Sequence, residues 1–253
     1  MWLLTRLIEA RARPDPATPE AVPLLHCATA LASRSARIYR SLTRGGMMGP
    51  LFSRSCQLRV SMSRRPRPPM TVSFVRTGER RYAVRATLGD GHTLEMSPAP
   101  GFDPWMPHDL QHFIVEKHLG IDGAVFGRLA AGGTAGTFHL VPHATSSREA
   151  ARLRRRHETK DQRLMPERSE DYARSERATY VCWQDWLQQA DDPALRARGA
   201  EMAPSARSLL DGMSAEERAA YTPARRDAIR QEFARLSRRW SALAIGESLS
   251  EPW

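Results

Sequence analysis

Arg81-Tyr82-Ala83-Val84-Arg85-Ala86-Thr87-Leu88, Gly89-Asp90-Gly91 and His92-Thr93-Leu94-Glu95-Met96 follow one another along the chain, and the fold turns on this stretch. The first and third pieces are short and β-prone, and the glycine-rich piece between them is a turn. Upstream, Val72-Ser73-Phe74-Val75 and the turn Thr77-Gly78-Glu79 repeat the pattern. The spacing predicts a small antiparallel sheet, a three-stranded meander. Side chains alternate between the faces of a strand, so Tyr82, Val84 and Ala86 share one side. That side is predicted to lie on the helices that follow.

Beyond the meander, residues 97–104 carry three prolines and a glycine and read as a loop. A helix is predicted over about 107–119, because Pro107 suits the first helical position and Asp109 complements the positive end of the dipole. Asp122 to Ala131 is a second short helix ended by Gly132-Gly133. The second half is mostly helical. Ser146 with Glu149 makes a capping box for a helix to about residue 162. Glu170 to Ala190 carries Tyr172, Tyr180, Trp183, Trp186 and Leu187, a set suited to core packing. Thr222-Pro223 opens a helix with Ile229, Phe233, Leu236, Trp240 and Leu243 on one stripe. Ser248 to Trp253 is predicted to return as an edge strand on the sheet, anchored by Trp253. The fold class is therefore α+β, with helices packed on one face of the sheet.

Chemistry concentrates in His108-Asp109-Leu110-Gln111-His112 and Glu116. At about 100° per residue, positions 108, 112 and 116 form one row on the helix. Two imidazoles and a carboxylate in a row are a ligand set for zinc or another divalent metal, with a position left for water or substrate. Asp109 is read first as a helix-start or supporting carboxylate and second as a catalytic base, since zinc peptidases place the longer Glu there. His139 and His143 lie in a short strand-like run and are candidates for a fourth donor, or exposed strand-end residues. Gly133-Thr134-Ala135-Gly136 reads as a turn, because it lacks the Gly-Lys-Thr/Ser end of a phosphate loop.

The stretch from Pro107 to Gly120, with Gly127 and Ala130-Ala131-Gly132-Gly133, resembles a family of uncharacterised bacterial proteins built around P-H-D-L-x-H-F-x-V-E. That resemblance covers about residues 70–253 and implies no activity. The core His108-Asp109-Leu110-Gln111-His112 also resembles the His-Asp-x-x-His motif of a ubiquinone-biosynthesis protein family. There it implies a zinc site completed by a downstream Glu, whose place is taken here by Ala124. Glu116 would have to serve instead, and the biosynthetic role is not implied. The His-Asp doublet is similar to that of certain phosphohydrolases, but their further His and Asp ligands are not identifiable in this sequence.

Composition sets the bounds. With 253 residues, 41% of them hydrophobic, the chain can bury a modest core. The net charge of +10 is unevenly held: residues 1–69 have 12 Arg against 3 acidic residues, a balance of +9, and residues 70–253 are nearly neutral at +1. The basic-face argument for DNA or RNA therefore fails for the folded part, and nucleic acid is not an expected partner of it. Only Lys117 and Lys160 are lysine, and asparagine is absent, a bias better explained by a GC-rich genome than by guanidinium chemistry. Arg154-Arg155-Arg156 is expected to be a solvated, ion-paired helix face. Cys27, Cys56 and Cys182 have no metal-type spacing, and their odd number argues against a disulfide scaffold, which fits the cytoplasm. The longest uncharged run, Leu129 to Ser147, is too polar to be a membrane span.

Residues 1–69 are rich in Arg, Ser and Pro, with no acidic residue between Ala21 and Gly78. Such composition resists packing, so a disordered tail is expected before a single α+β domain over 70–253. The tail resembles an organelle transit peptide; a translation start at Met70 is the simpler expectation. Two functional readings stand. One is a metal-binding, hydrolase-like protein using His108, His112 and Glu116, with Asp109 beside them. The other is a non-enzymatic structural or protein-interaction module in which the same side chains form a buried hydrogen-bond network.

Overall fold

Alternation in the strands decides which way the sheet faces. A computed structural model of the chain describes residues 69–141 and 146–253, apart from the side chains of 165–169. The readings made for residues 1–68, for Cys27 and Cys56 and for His143 lie outside the described residues. β1 (Thr71–Gly78), β2 (Arg81–Thr87) and β3 (Thr93–Ala99) form the meander. Val72 and Phe74 of β1, Tyr82, Val84 and Ala86 of β2 and Leu94 of β3 are fully buried on one face.

The sheet has five strands, not three. β4 (His139–Leu140) pairs with β3, and β5 (Ser248–Pro252) pairs with β1, giving the antiparallel order β4-β3-β2-β1-β5. β4 is two residues long and carries no period to read. β5 is the C-terminal edge strand that its short alternating run predicts. It buries Leu249 and Glu251. Trp253 then donates its backbone N–H to Met70 O at 2.8 Å. Its ring lies 5.5 Å from Phe113 and 5.8 Å from Phe126, so it does anchor the strand.

Six α-helices are described. α1 (His108–Leu119) starts after Pro107 and ends at Gly120, which adopts a left-handed conformation. It is buried on most sides, at Leu110, Gln111, His112, Phe113, Ile114, Val115, Glu116 and Leu119. One stripe of an amphipathic wheel cannot anticipate this, because α1 lies against the helical half of the domain as well as the sheet. α2 (Val125–Ala130) follows. α3 (Ser147–Gln188) joins into one helix the two that the sequence predicts over 146–162 and 170–190, and Ser146 Oγ accepts from Glu149 N at its start.

α4 (Pro193–Asp211) packs back on α3 and has no distinct prediction behind it, since its larger apolar residues, Leu195, Met202, Leu209 and Leu210, are spread among Ala, Gly and Ser. Asp192 caps it, accepting from Ala194 N at 2.7 Å. α5 (Ala215–Ala220) is a short capped turn. α6 (Pro223–Ser241) buries Ile229, Phe233, Leu236 and Trp240, the stripe read from the sequence. Trp183 and Trp186 stack at 4.7 Å and meet Phe233 at 5.7 and 6.2 Å, so the aromatic residues of α3 are core.

Candidate metal site between α1 and α3

The histidine row is held in place from its first residue. His108 N donates to Gly101 O at 3.0 Å. Gly101 has φ +75°, and a Cβ there would come within 2.8 Å of His108 Cβ. Only glycine allows this approach of loop to helix. One turn on, the rings of His108 and His112 meet edge to face at 4.5 Å. Burial pushes the His108 imidazole down to about 3, with the His112 charge adding to the effect. It is a neutral ring with lone-pair capacity across the physiological range.

His112 is buried, and α3 supplies its partners. Its Nδ1 lies 2.8 Å from Ser175 Oγ and 3.3 Å from Thr179 Oγ1. Ser175 Oγ donates its only proton to Glu116 Oε1 at 2.7 Å. In that arrangement Nδ1 of His112 donates to Ser175, so Nε2 of the neutral ring carries the lone pair. Nε2 lies 3.8 Å from Glu176 Oε2. Burial opposes charge on His112, yet the nearby carboxylates of Glu116, 3.7 Å from Nδ1, Glu176 and Asp109 outweigh it and raise the ring above its ordinary value.

One donor atom each from His108, His112 and Glu176 lies within 4.8 Å of the other two. Glu176, with 38% of its side chain exposed, opens the cluster toward solvent. The carboxylate in this cluster is Glu176, where the row drawn from the sequence has Glu116. Glu116 is fully buried; its Oε1 lies 3.7 Å from His112 Nδ1, and its carboxylate accepts from Phe126 N at 2.9 Å and Val125 N at 3.4 Å. It caps the start of α2, whose own N-cap, Ala124, has no side-chain acceptor. The loop after α1 brings two otherwise unpaired N–H groups and the start of a helix to this carboxylate, which binds them while staying beside His112.

Asp109 is not in the cluster either. Its carboxylate meets the hydroxyl of Tyr82, which also contacts Pro100 O, and so ties β2 to the loop and α1. Burial pushes its carboxyl up to about 6; the Tyr82 bond and His112 oppose the shift, and Glu116 and Glu176 add to it. His139 is exposed on the edge strand β4, paired with Glu95 and away from the cluster.

Sequence reasoning missed Glu176, Ser175 and Thr179. Their one signal is that Ser175 and Thr179 interrupt, four residues apart, the inward apolar face of α3. Buried hydroxyls of this kind need polar partners on a facing element. Comparison with protein-family models, curated proteins and solved structures yields no match for this chain.

Proposed function

We propose that the domain binds one zinc-like divalent metal ion through His108, His112 and Glu176, with a coordination position left for water or substrate. The observation that carries this reading is the convergence of three donor atoms from two helices within 4.8 Å of one another. Tetrahedral zinc with bonds of about 2.0–2.1 Å needs donors roughly 3.4 Å apart. The groups would have to close by about an ångström, and the part-exposed Glu176 has the freedom to do so. His108 is already neutral, as a ligand must be. The chain Glu116–Ser175–His112 fixes the ring and raises its basicity, as outer hydrogen bonds do for metal-bound histidines.

A bound divalent ion would supply Lewis acidity and render a coordinated water more acidic. A water made acidic in this way is what a hydrolytic role would use; Asp109, engaged by the Tyr82 hydroxyl outside the cluster, is a supporting carboxylate of α1. A second reading is favoured by the elevated basicity of His112 and its 3.8 Å approach to Glu176. In it the imidazolium and carboxylates form a closed hydrogen-bond network, and the domain is a non-enzymatic module.

Plasma mass spectrometry on protein purified without a histidine tag separates the two. About one zinc or iron per chain, lost in His108→Ala, His112→Ala and Glu176→Ala, supports the first. Metal-free, folded protein that takes up no zinc on titration supports the second.

A further inference from the structure

The first half of α3 carries Arg152, Arg155, Arg156, Lys160 and Arg163, which line one shallow surface depression with Thr159. At about 100° per residue these positions fall within an arc of roughly 140°. The arc lies opposite the buried His157 and Asp161. All five cations are exposed, and none of them has an ion pair among the described residues. Several arginines elsewhere are ion-paired: Arg177, Arg198, Arg230, Arg235 and Arg239 each pair with a carboxylate.

Of the two acidic residues in 152–163, Asp161 is turned inward. It accepts from Thr134 N and Ala135 N and pairs with Arg128. Glu158 lies off the arc. Like charges at i,i+3 and i,i+4, as in Arg152–Arg156 and Arg156–Lys160, repel and weaken the helix that holds them. The near-neutral total of the domain hides this stripe, because acidic residues elsewhere on the domain offset its charge in the sum. A row of unpaired cations about 17 Å long on a rigid helix is complementary to a phosphate backbone. It has no exposed aromatic ring on which single-stranded bases could stack.

We propose that this face of α3 docks the phosphate backbone of a nucleic-acid duplex, without reading its sequence. Arginine and lysine contacts of this kind position a protein on the backbone and carry no base code.

The test is fluorescence anisotropy of the full chain with labelled DNA and RNA duplexes of about 20 base pairs, the matching single strands, and phosphatidylserine vesicles. If about four of the five cations engage, duplex affinity falls roughly 100-fold between 50 and 200 mM salt. Replacing all five by Gln is expected to weaken duplex binding at least tenfold, to flatten the salt dependence and, with the like-charge repulsion removed, not to lower the melting temperature. If that variant misfolds, Arg155→Gln with Arg156→Gln is read instead, with a threefold loss as its threshold. Smaller losses overturn the proposal. So does single-stranded binding as tight as duplex binding, or vesicle binding without duplex binding. Because residues 1–69 are also basic, a variant with Arg34, Arg37, Arg40, Arg44 and Arg54 changed to Gln is measured alongside, and a larger loss there than in the α3 variant also overturns it. The DNA and RNA arms say which duplex is preferred.

Discussion

Ser175 Oγ lies 2.8 Å from His112 Nδ1 across 63 residues of sequence, and passes its own proton to Glu116 at 2.7 Å. One hydroxyl thus determines which nitrogen of His112 faces Glu176. Ser175→Ala is expected to weaken zinc binding 10- to 100-fold, the usual cost of losing an outer partner of a ligating histidine. Isothermal titration calorimetry checks this, with Ser175→Thr restoring part of the affinity. Unchanged affinity in Ser175→Ala would mean that His112 does not ligate.

The two glutamates near His112 are expected to fail in different ways. Glu116 is fully buried and satisfies backbone N–H groups of α2. Glu116→Ala should cost about 2–4 kcal/mol by leaving those donors unpaired. Glu176 is part-exposed, and Glu176→Ala should stay within about 0.5 kcal/mol of the parent in stability while losing metal. Urea melts set beside zinc titrations of both variants check the contrast.

Gly101→Ala puts a methyl group 2.8 Å from His108 Cβ at a φ of +75°. Steric and backbone strain together should cost about 1–3 kcal/mol. Because the displaced element carries His108, zinc affinity should fall along with the melting temperature. A variant that melts lower but binds zinc unchanged would separate the loop from the site.

Acid stability should depend on Glu217. Burial would raise its carboxyl, but bonds from Arg177 and from Ser214 N outweigh it and hold Glu217 below the ordinary carboxylate value. A lowered folded value means that the unfolded chain binds more protons as pH falls. The stabilisation is therefore complete above the unfolded value of about 4.3 and is lost as pH drops through the folded one. Glu217→Gln should be less stable than the parent at pH 7 and approach it as pH falls below the ordinary carboxylate range, measured by urea denaturation across that range.

The strand runs around Gly89-Asp90-Gly91 were sufficient to place the meander and its buried face, because a period of two survives in any sheet covered on one side. The stripe of α6 and the anchoring of Trp253 were legible for the same kind of reason. α4 was not, since Ala, Gly and Ser along it leave little apolar contrast. β4 was too short to register.

For the site, local spacing determined that His108 and His112 share a helix face and stand one turn apart. It could not say which carboxylate joins them. Glu116 has the right spacing in the sequence, yet the folded chain uses it to cap α2, and the free carboxylate comes from Glu176 on another helix. Helical periodicity fixes which neighbours along one element point the same way. Competition for a buried carboxylate between distant N–H groups and an imidazole is decided only when the elements pack. The stripe on α3 follows the same division: its charges are written in the sequence, and their lack of ion pairs among the described residues is a property of the fold.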